Sequence, residues 1–211
     1  MKSALKIKVC GMGEPENIAA VSALGPDYLG FIFYEGSSRF YRPSSSVPVK
    51  PEGIKHVGVF VNAELDRILE IKESLSLDVI QLHGTETPIF CEKLKASGVE
   101  VIKAFGVDQV FEFKTLDDYG CCDYFLFDTK ADTYGGTGRA FDWQLLDGYL
   151  LSKPYFLSGG LSLENLSGLN DISDERFFAV DLNSRFEVAP ALKNIGKLKE
   201  AFNILKNKER I

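Results

Sequence analysis

The chain has 211 residues, 45% of them hydrophobic and 26% charged, which fits one domain with a sizeable core better than two small ones, so a single domain over 1–211 is expected. A formal net charge of -6, with Lys and Arg scattered, lacks the basic footprint of a nucleic-acid binder, and no apolar run is long enough to span a bilayer. Four cysteines, at 10, 91, 121 and 122, with no C-x-x-C pair and two histidines, suggest neither a metal centre nor a disulfide framework; reduced thiols in a cytoplasmic protein are the plain reading.

In chain order, a strand-like run at 5–10 ends in Cys10-Gly11; it is too short and too charged for a signal segment. Pro15-Glu16-Asn17 then opens a helix carried by Ile18, Val21 and Leu24 and closed by Gly25. A second apolar strand at 27–33 runs into the polar loop Glu35-Gly36-Ser37-Ser38-Arg39-Phe40. Pro43, Pro48 and Pro51 leave room only for a short or irregular helix after it. A third strand at 56–61 precedes an amphipathic helix at 64–74. A fourth, at 78–82, leads to His83-Gly84 and a helix capped by Thr85 or Thr87 and closed at Gly98. The fifth strand, 99–105, is followed by a more ragged helix at 108–118.

The run Asp-Tyr-Phe-Leu-Phe-Asp-Thr at 123–129 has the aromatic and apolar composition of a buried parallel strand and stops at a carboxylate, Asp128. Behind it lies a loop with Gly135, Gly136 and Gly138, whose backbone can approach a ligand closely, and then a helix at 142–151 with Asp142 at its N-cap. Strand seven, 154–157, runs into Ser158-Gly159-Gly160 and a short helix from Ser162. Strand eight, 176–182, is followed by Asn183-Ser184 and a closing amphipathic helix at 190–206.

Eight βα units at an interval of roughly 25 residues have one economical packing, a closed (β/α)₈ or TIM barrel, because right-handed crossovers keep adding parallel strands until the sheet meets itself. An open doubly wound sheet is the competitor, but Cys10-Gly11-Met12-Gly13 lacks the third glycine of a dinucleotide site. In a barrel, Cys10, Arg39, His83, Asp128, Ser158-Gly159-Gly160 and Asp181 all fall on the carboxyl-end rim, where such folds place their chemistry. Lys8 shares a strand face with Cys10, and a nearby ammonium would lower the thiol's pKa. Asp128 stands without a capping role, since Asp142 takes that. Arg39 in its Ser-rich loop suits bidentate recognition of a carboxylate or phosphate. Gly159 and Gly160 after strand seven, with Asp181, Asn183 and Ser184 at the end of strand eight, fall where barrels bind phosphate. The simplest role of His83 is a hydrogen bond within the rim, beside Arg39 among the substrate-binding candidates. A thiol and an acid across the barrel, next to an anion site, suit proton transfer on a small phosphorylated metabolite.

Five motifs in order resemble those of the phosphoribosylanthranilate isomerase family: Lys8-Val9-Cys10-Gly11; Gly30-Phe31-Ile32-Phe33 with Ser37 and Arg39; Gln81-Leu82-His83-Gly84; Phe127-Asp128-Thr129 with Gly135-Gly136-Thr137-Gly138; and Leu157-Ser158-Gly159-Gly160-Leu161. The resemblance covers nearly the whole chain. It implies a cofactor-free and metal-free Amadori rearrangement of N-(5-phosphoribosyl)anthranilate in tryptophan biosynthesis. It also implies Asp128 as general acid at the ring oxygen, Cys10 as general base at C2', and Arg39 on the anthranilate carboxylate. The chain departs from the family pattern at Ser38, at Asn183-Ser184-Arg185 and at Pro190-Ala191-Leu192-Lys193-Asn194. Other readings are a related phosphosugar barrel isomerase, against which Cys10 argues, and a non-catalytic phosphometabolite-binding barrel. Monomer and homodimer are both compatible with the sequence.

Overall fold

The computed structural model describes residues 4–42, 50–130 and 141–206. Eight parallel strands close on themselves in sequence order: β1 Lys6–Val9, β2 Tyr28–Ile32, β3 Lys55–Phe60, β4 Val79–Leu82, β5 Glu100–Val107, β6 Tyr124–Thr129, β7 Tyr155–Leu157 and β8 Phe177–Leu182. The ring closes where β1 pairs with β8, with Lys8 opposite Asp181. This is the expected barrel.

Strand side chains alternate between two environments, and the alternation decides where function can sit. One set, including Ile7, Val9, Leu29, Phe31, Phe125, Phe127, Tyr155 and Leu157, faces outward and packs under the helices. The other set, Cys10, Tyr28, Val57, Val59, Val79, Ile102, Ala104, Leu126, Phe156 and Ala179, fills the barrel. In phase with this inner set, at the carboxyl ends, lie Gln81, Asp128, Ser158 and Asp181.

Three connections form the expected α-helices: α1 Pro15–Ser22, α2 Leu65–Leu75 and α3 Pro88–Ala96. Proline occupies the first turn of α1 and of α3, where a missing N–H costs nothing, and Thr87 caps α3 by accepting from the Phe90 N–H. The later connections differ from the sequence expectation. In place of helices at 108–118, at 142–151 and from Ser162 there are 3₁₀ turns at Phe113–Tyr119, Trp143–Gly148 and Leu166–Asp171. Segments of six or seven residues cannot offset the cost of nucleating an α-helix, and the tighter turn lets each bury one or two apolar side chains.

The closing helix also starts later than expected. It is α4, Ile195–Lys206; residues ahead of it form a small antiparallel hairpin, β9 Glu187–Ala189 and β10 Leu192–Lys193. Its turn runs through Pro190 and Ala191. Proline sets φ for the first turn position, while Ala191 takes φ +65°, a left-handed conformation that favours glycine. The Asn17 side chain holds the hairpin to α1, donating to the Lys193 carbonyl at 2.9 Å and accepting from its N–H at 2.8 Å. The expected irregular helix over 43–51 falls largely outside the described residues, and so do Gly135, Gly136 and Gly138.

Candidate active site

Because every strand delivers its last inward residue to one rim, groups far apart in sequence meet around a single cavity of about 810 Å³, counting its open mouth. Cys10, Arg39, His83, Asp128, Ser158, Gly159, Gly160, Asp181, Asn183 and Ser184 all line it, with Ile32, Val59 and Val61 as its apolar wall. The structure thus brings together every described residue that the sequence marked. Gln81 and Tyr34 join them.

Cys10 directly follows β1, and Gly30 on β2 makes its space. A Cβ there would lie 2.6 Å from the Cys10 Sγ. The thiol is buried. Burial pushes its pKa up; the Lys8 ammonium pulls it down in part, and Asp181 opposes that pull. The expectation of a thiol shifted toward neutrality by Lys8 is therefore corrected. Lys8 is itself buried and is held by Asp181, Nζ to Oδ2 at 2.7 Å. Burial works against that ammonium, but Asp181 and Cys10 leave its pKa above the ordinary value. Lys8 is the strongest pull downward on the thiol, but burial and Asp181 together outweigh it.

Across the cavity, Asp128 accepts a hydrogen bond from the Thr129 N–H through Oδ1 at 2.7 Å, and its Oδ2 lies 3.5 Å from Nε2 of His83. The amide nitrogen of Gln81 lies 2.8 Å from Nδ1 of His83. With that amide donating, Nδ1 accepts, and the ring turns Nε2–H toward Asp128. So His83 makes its rim hydrogen bond to Gln81 and stands 3.5 Å from the acid. Gly159 completes this corner: it sits at φ +84°, and a Cβ on it would stand 2.4 Å from the Thr129 nitrogen and 2.8 Å from the Asp128 Oδ1. Only glycine lets the loop after β7 lie against the acid.

Arg39 does not face the cavity with an open fork. Its Nε and Nη2 grip the Glu187 carboxylate, at 2.8 to 3.0 Å. Burial favours the protonated Glu187, but the bonds from Arg39 and Lys193 hold its pKa below the ordinary carboxylate value. Lys193, also buried, reaches both Glu187 and the Asn183 Oδ1, the latter at 2.7 Å. Asp181, expected with the phosphate ligands, is reassigned by its surroundings: a carboxylate fixed on Lys8 in the cavity floor would repel a phosphate. Its Oδ1 and the Gln81 Oε1 are buried with no hydrogen-bond partner among the described residues. No group of side chains suited to a metal ion occurs among the described residues.

Sequence reasoning missed four members of this site, Gln81, Tyr34, Glu187 and Lys193. Gln81 was legible: it is a polar residue in the inward phase of an apolar strand, two before His83. Lys193 was hidden because 190–206 read as one continuous helix, and Glu187 because nothing in its own stretch marks the hairpin that carries it.

A closed (β/α)₈ barrel with a thiol and a carboxyl group on opposite sides of one carboxyl-end cavity defines an acid–base enzyme of the TIM-barrel class. Comparison with known proteins narrows the class. Residues 7–204 match the family model described as N-(5'phosphoribosyl)anthranilate (PRA) isomerase. The N-(5'-phosphoribosyl)anthranilate isomerase of Parabacteroides distasonis is 46% identical over 198 residues, covering 92% of this chain and 90% of its own. The crystal structure of phosphoribosyl anthranilate isomerase from Thermotoga maritima superposes with a TM-score of 0.85 at 34% identity, over 97% of this chain and 100% of that one. Another solved isomerase, in complex with reduced 1-(o-carboxyphenylamino)-1-deoxyribulose 5-phosphate, gives a TM-score of 0.82 at 31% identity over the same shares. The chain belongs to the N-(5'-phosphoribosyl)anthranilate isomerase family. It is an isomerase of L-tryptophan biosynthesis that converts N-(5-phosphoribosyl)anthranilate to 1-(2-carboxyphenylamino)-1-deoxyribulose 5-phosphate by acid–base catalysis.

Proposed function

We propose that Asp128 and Cys10 carry this isomerisation as general acid and general base. The observation behind the assignment is that they stand at the carboxyl ends of β6 and β1 and line one cavity, whose other carboxyl group, Asp181, is tied to Lys8. Asp128 gives its proton to the furanose ring oxygen, the C1'–O bond breaks, and the nitrogen lone pair forms the ring-opened Schiff base. The Cys10 thiolate then takes the C2' proton, the electron pair moves toward C1', and the enolamine ketonises to product. Gly159, Gly160, Asn183 and Ser184 receive the phosphate; the loop candidates Gly135, Gly136 and Gly138 lie outside the described residues and have no part in this assignment. The unpartnered acceptors Gln81 Oε1 and Asp181 Oδ1 suit the sugar hydroxyls as donors. Arg39 holds the anthranilate carboxylate, sharing its charge between that group and Glu187.

Ordinary carboxyls ionise well below ordinary thiols. The working enzyme needs the opposite distribution, acid at 128 and thiolate at 10, which is a tautomer of the same total charge. Burial of Cys10 works against its thiolate.

We also place one catalytic domain over 1–211 in the cytoplasm, acting on a small phosphorylated substrate. Composition supports this, and no helix among the described residues is long and apolar enough to cross a membrane. The assay is loss of anthranilate fluorescence with freshly generated phosphoribosylanthranilate. Turnover that survives in both Asp128→Asn and Cys10→Ser would overturn the assignment of the pair.

A further inference from the structure

The buried charges around Cys10 fall into two groups. Lys8 and Asp181 form a closed ion pair whose two members act on the thiol in opposite directions. Arg39, Glu187 and Lys193 form the second group, two cations on one carboxylate, and so carry one positive charge in excess. We propose that Lys193 is a positioning residue for the isomerisation, supplying with Arg39 and Glu187 the uncompensated positive charge against which the Cys10 thiol ionises.

Geometry holds this group against the thiol's corner of the barrel. The backbone of Lys193 is clamped from both sides by the Asn17 side chain, and its ammonium donates to Asn183 Oδ1 at 2.7 Å. That same Oδ1 and the Arg39 Cδ stand 2.7 and 2.8 Å from where a Cβ on Gly11 would be, one residue beyond Cys10. Gly11, at φ +73°, has no side chain to keep them away. Cys10 and Lys193 act on each other: the ammonium draws the thiol down against burial, which still leaves the thiol raised, and burial holds the Lys193 pKa below the ordinary value although Glu187 and the thiolate pull it up.

The remaining groups facing Cys10 are Lys8 on its own strand, Asp181 on β8, His83 after β4 and Asp128 on β6, across the cavity. None of them changes in the variants below. The catalytic meaning of the inference rests on Cys10 as the base. In the ionisation the S–H bond breaks, its proton passes to the Asp128 carboxylate, and the pair becomes thiolate and carboxylic acid with no change in total charge. A positive charge beside position 10 favours that transfer.

The test is the pH dependence of iodoacetamide alkylation at Cys10, read by peptide mass spectrometry on the full chain without substrate. Lys193→Met removes one cation and should raise the midpoint by about one pH unit or more, a tenfold smaller thiolate fraction at a given pH. Glu187→Gln leaves two cations unopposed and should lower the midpoint. Lys193→Arg, which keeps the charge, should stay near the wild-type value. A purely structural role would loosen the same corner in both neutralising variants and shift both midpoints the same way. Shifts of the same sign, or none beyond about 0.3 pH unit in either variant, overturn the inference. If Lys193→Met does not fold, Glu187→Gln decides, since an unchanged or raised midpoint there overturns it alone. Failure of the base assignment shows separately, as full turnover by Cys10→Ser with the alkylation shifts intact.

Discussion

At the amino end of the barrel interior Tyr28, Tyr124, Phe156 and Phe178 meet with ring centroids between 5.0 and 6.4 Å apart, mostly edge to face. At the carboxyl end of the same interior stand a thiol, three carboxylates and two lysines, with two buried acceptors unpartnered among the described residues. The first end is matched within itself, and aromatic contacts of this kind add to what burial alone contributes. The second is paired in part, through Lys8 with Asp181 and Lys193 with Glu187, and keeps its two unpartnered acceptors. Stability concentrated below allows polar groups above to be left in costly surroundings, which is the usual condition of an active site. If this division is correct, substitutions at the two ends should separate cleanly in what they damage.

The largest effect should come from Asp128→Asn. It keeps the acceptor for the Thr129 N–H and removes only the proton, so turnover should fall roughly 10²- to 10⁴-fold. The midpoint of urea unfolding should hardly move. A near wild-type rate would break the division from the functional side. Phe156→Ala is the reciprocal experiment. This fully buried ring touches all three other aromatics of the lower cluster, and its loss should cost about 3–5 kcal/mol of stability. Folded Phe156→Ala protein should keep most of its turnover. A fall in rate as large as its loss of stability would show that the plug also shapes the chemistry.

How much of this division could be read from the sequence follows the same physics. The strands were legible because buried parallel strands are short apolar runs, and those runs end on Cys10, His83, Asp128, Ser158 and Asp181. Local pattern carries that information. Pairing between side chains is a property of closure, and nothing in the spacing of Lys8 and Asp181, or of Arg39 and Glu187, says that they meet. Hence Lys8 read as a free ammonium beside the thiol, and Arg39 as an open fork. The hairpin was hidden for a local reason: Leu192, Ile195 and Leu198 continue a helical spacing, and only Pro190 hints at the turn.

A smaller effect is expected at Arg39. The anthranilate carboxylate is present in substrate and transition state alike, so the contact contributes mainly uniform binding. Arg39→Ala should raise KM about tenfold, less than a dedicated clamp would give, because Glu187 already shares the guanidinium. The corresponding loss in kcat should be minor. An unchanged KM would remove Arg39 from the substrate's surroundings.

The smallest effect on activity should come from the cysteine that reacts most readily. Cys10, Cys91 and Cys122 are buried, whereas Cys121 is only partly so and lies before β6, at the amino side away from the cavity. Burial raises the pKa of both Cys10 and Cys121, so near neutral pH access should decide which is modified first. Iodoacetamide should therefore label Cys121 with no loss of turnover. Inactivation should follow slower labelling of Cys10 and quicken as pH rises through the range where that thiol ionises. Cys121→Ser should keep wild-type rates and abolish the early, silent modification. A product analogue should protect Cys10 alone, because it covers the upper end of the barrel and leaves the lower end open. Inactivation that tracks Cys121, or protection of both thiols together, would mean that the two ends communicate and that the division between them fails.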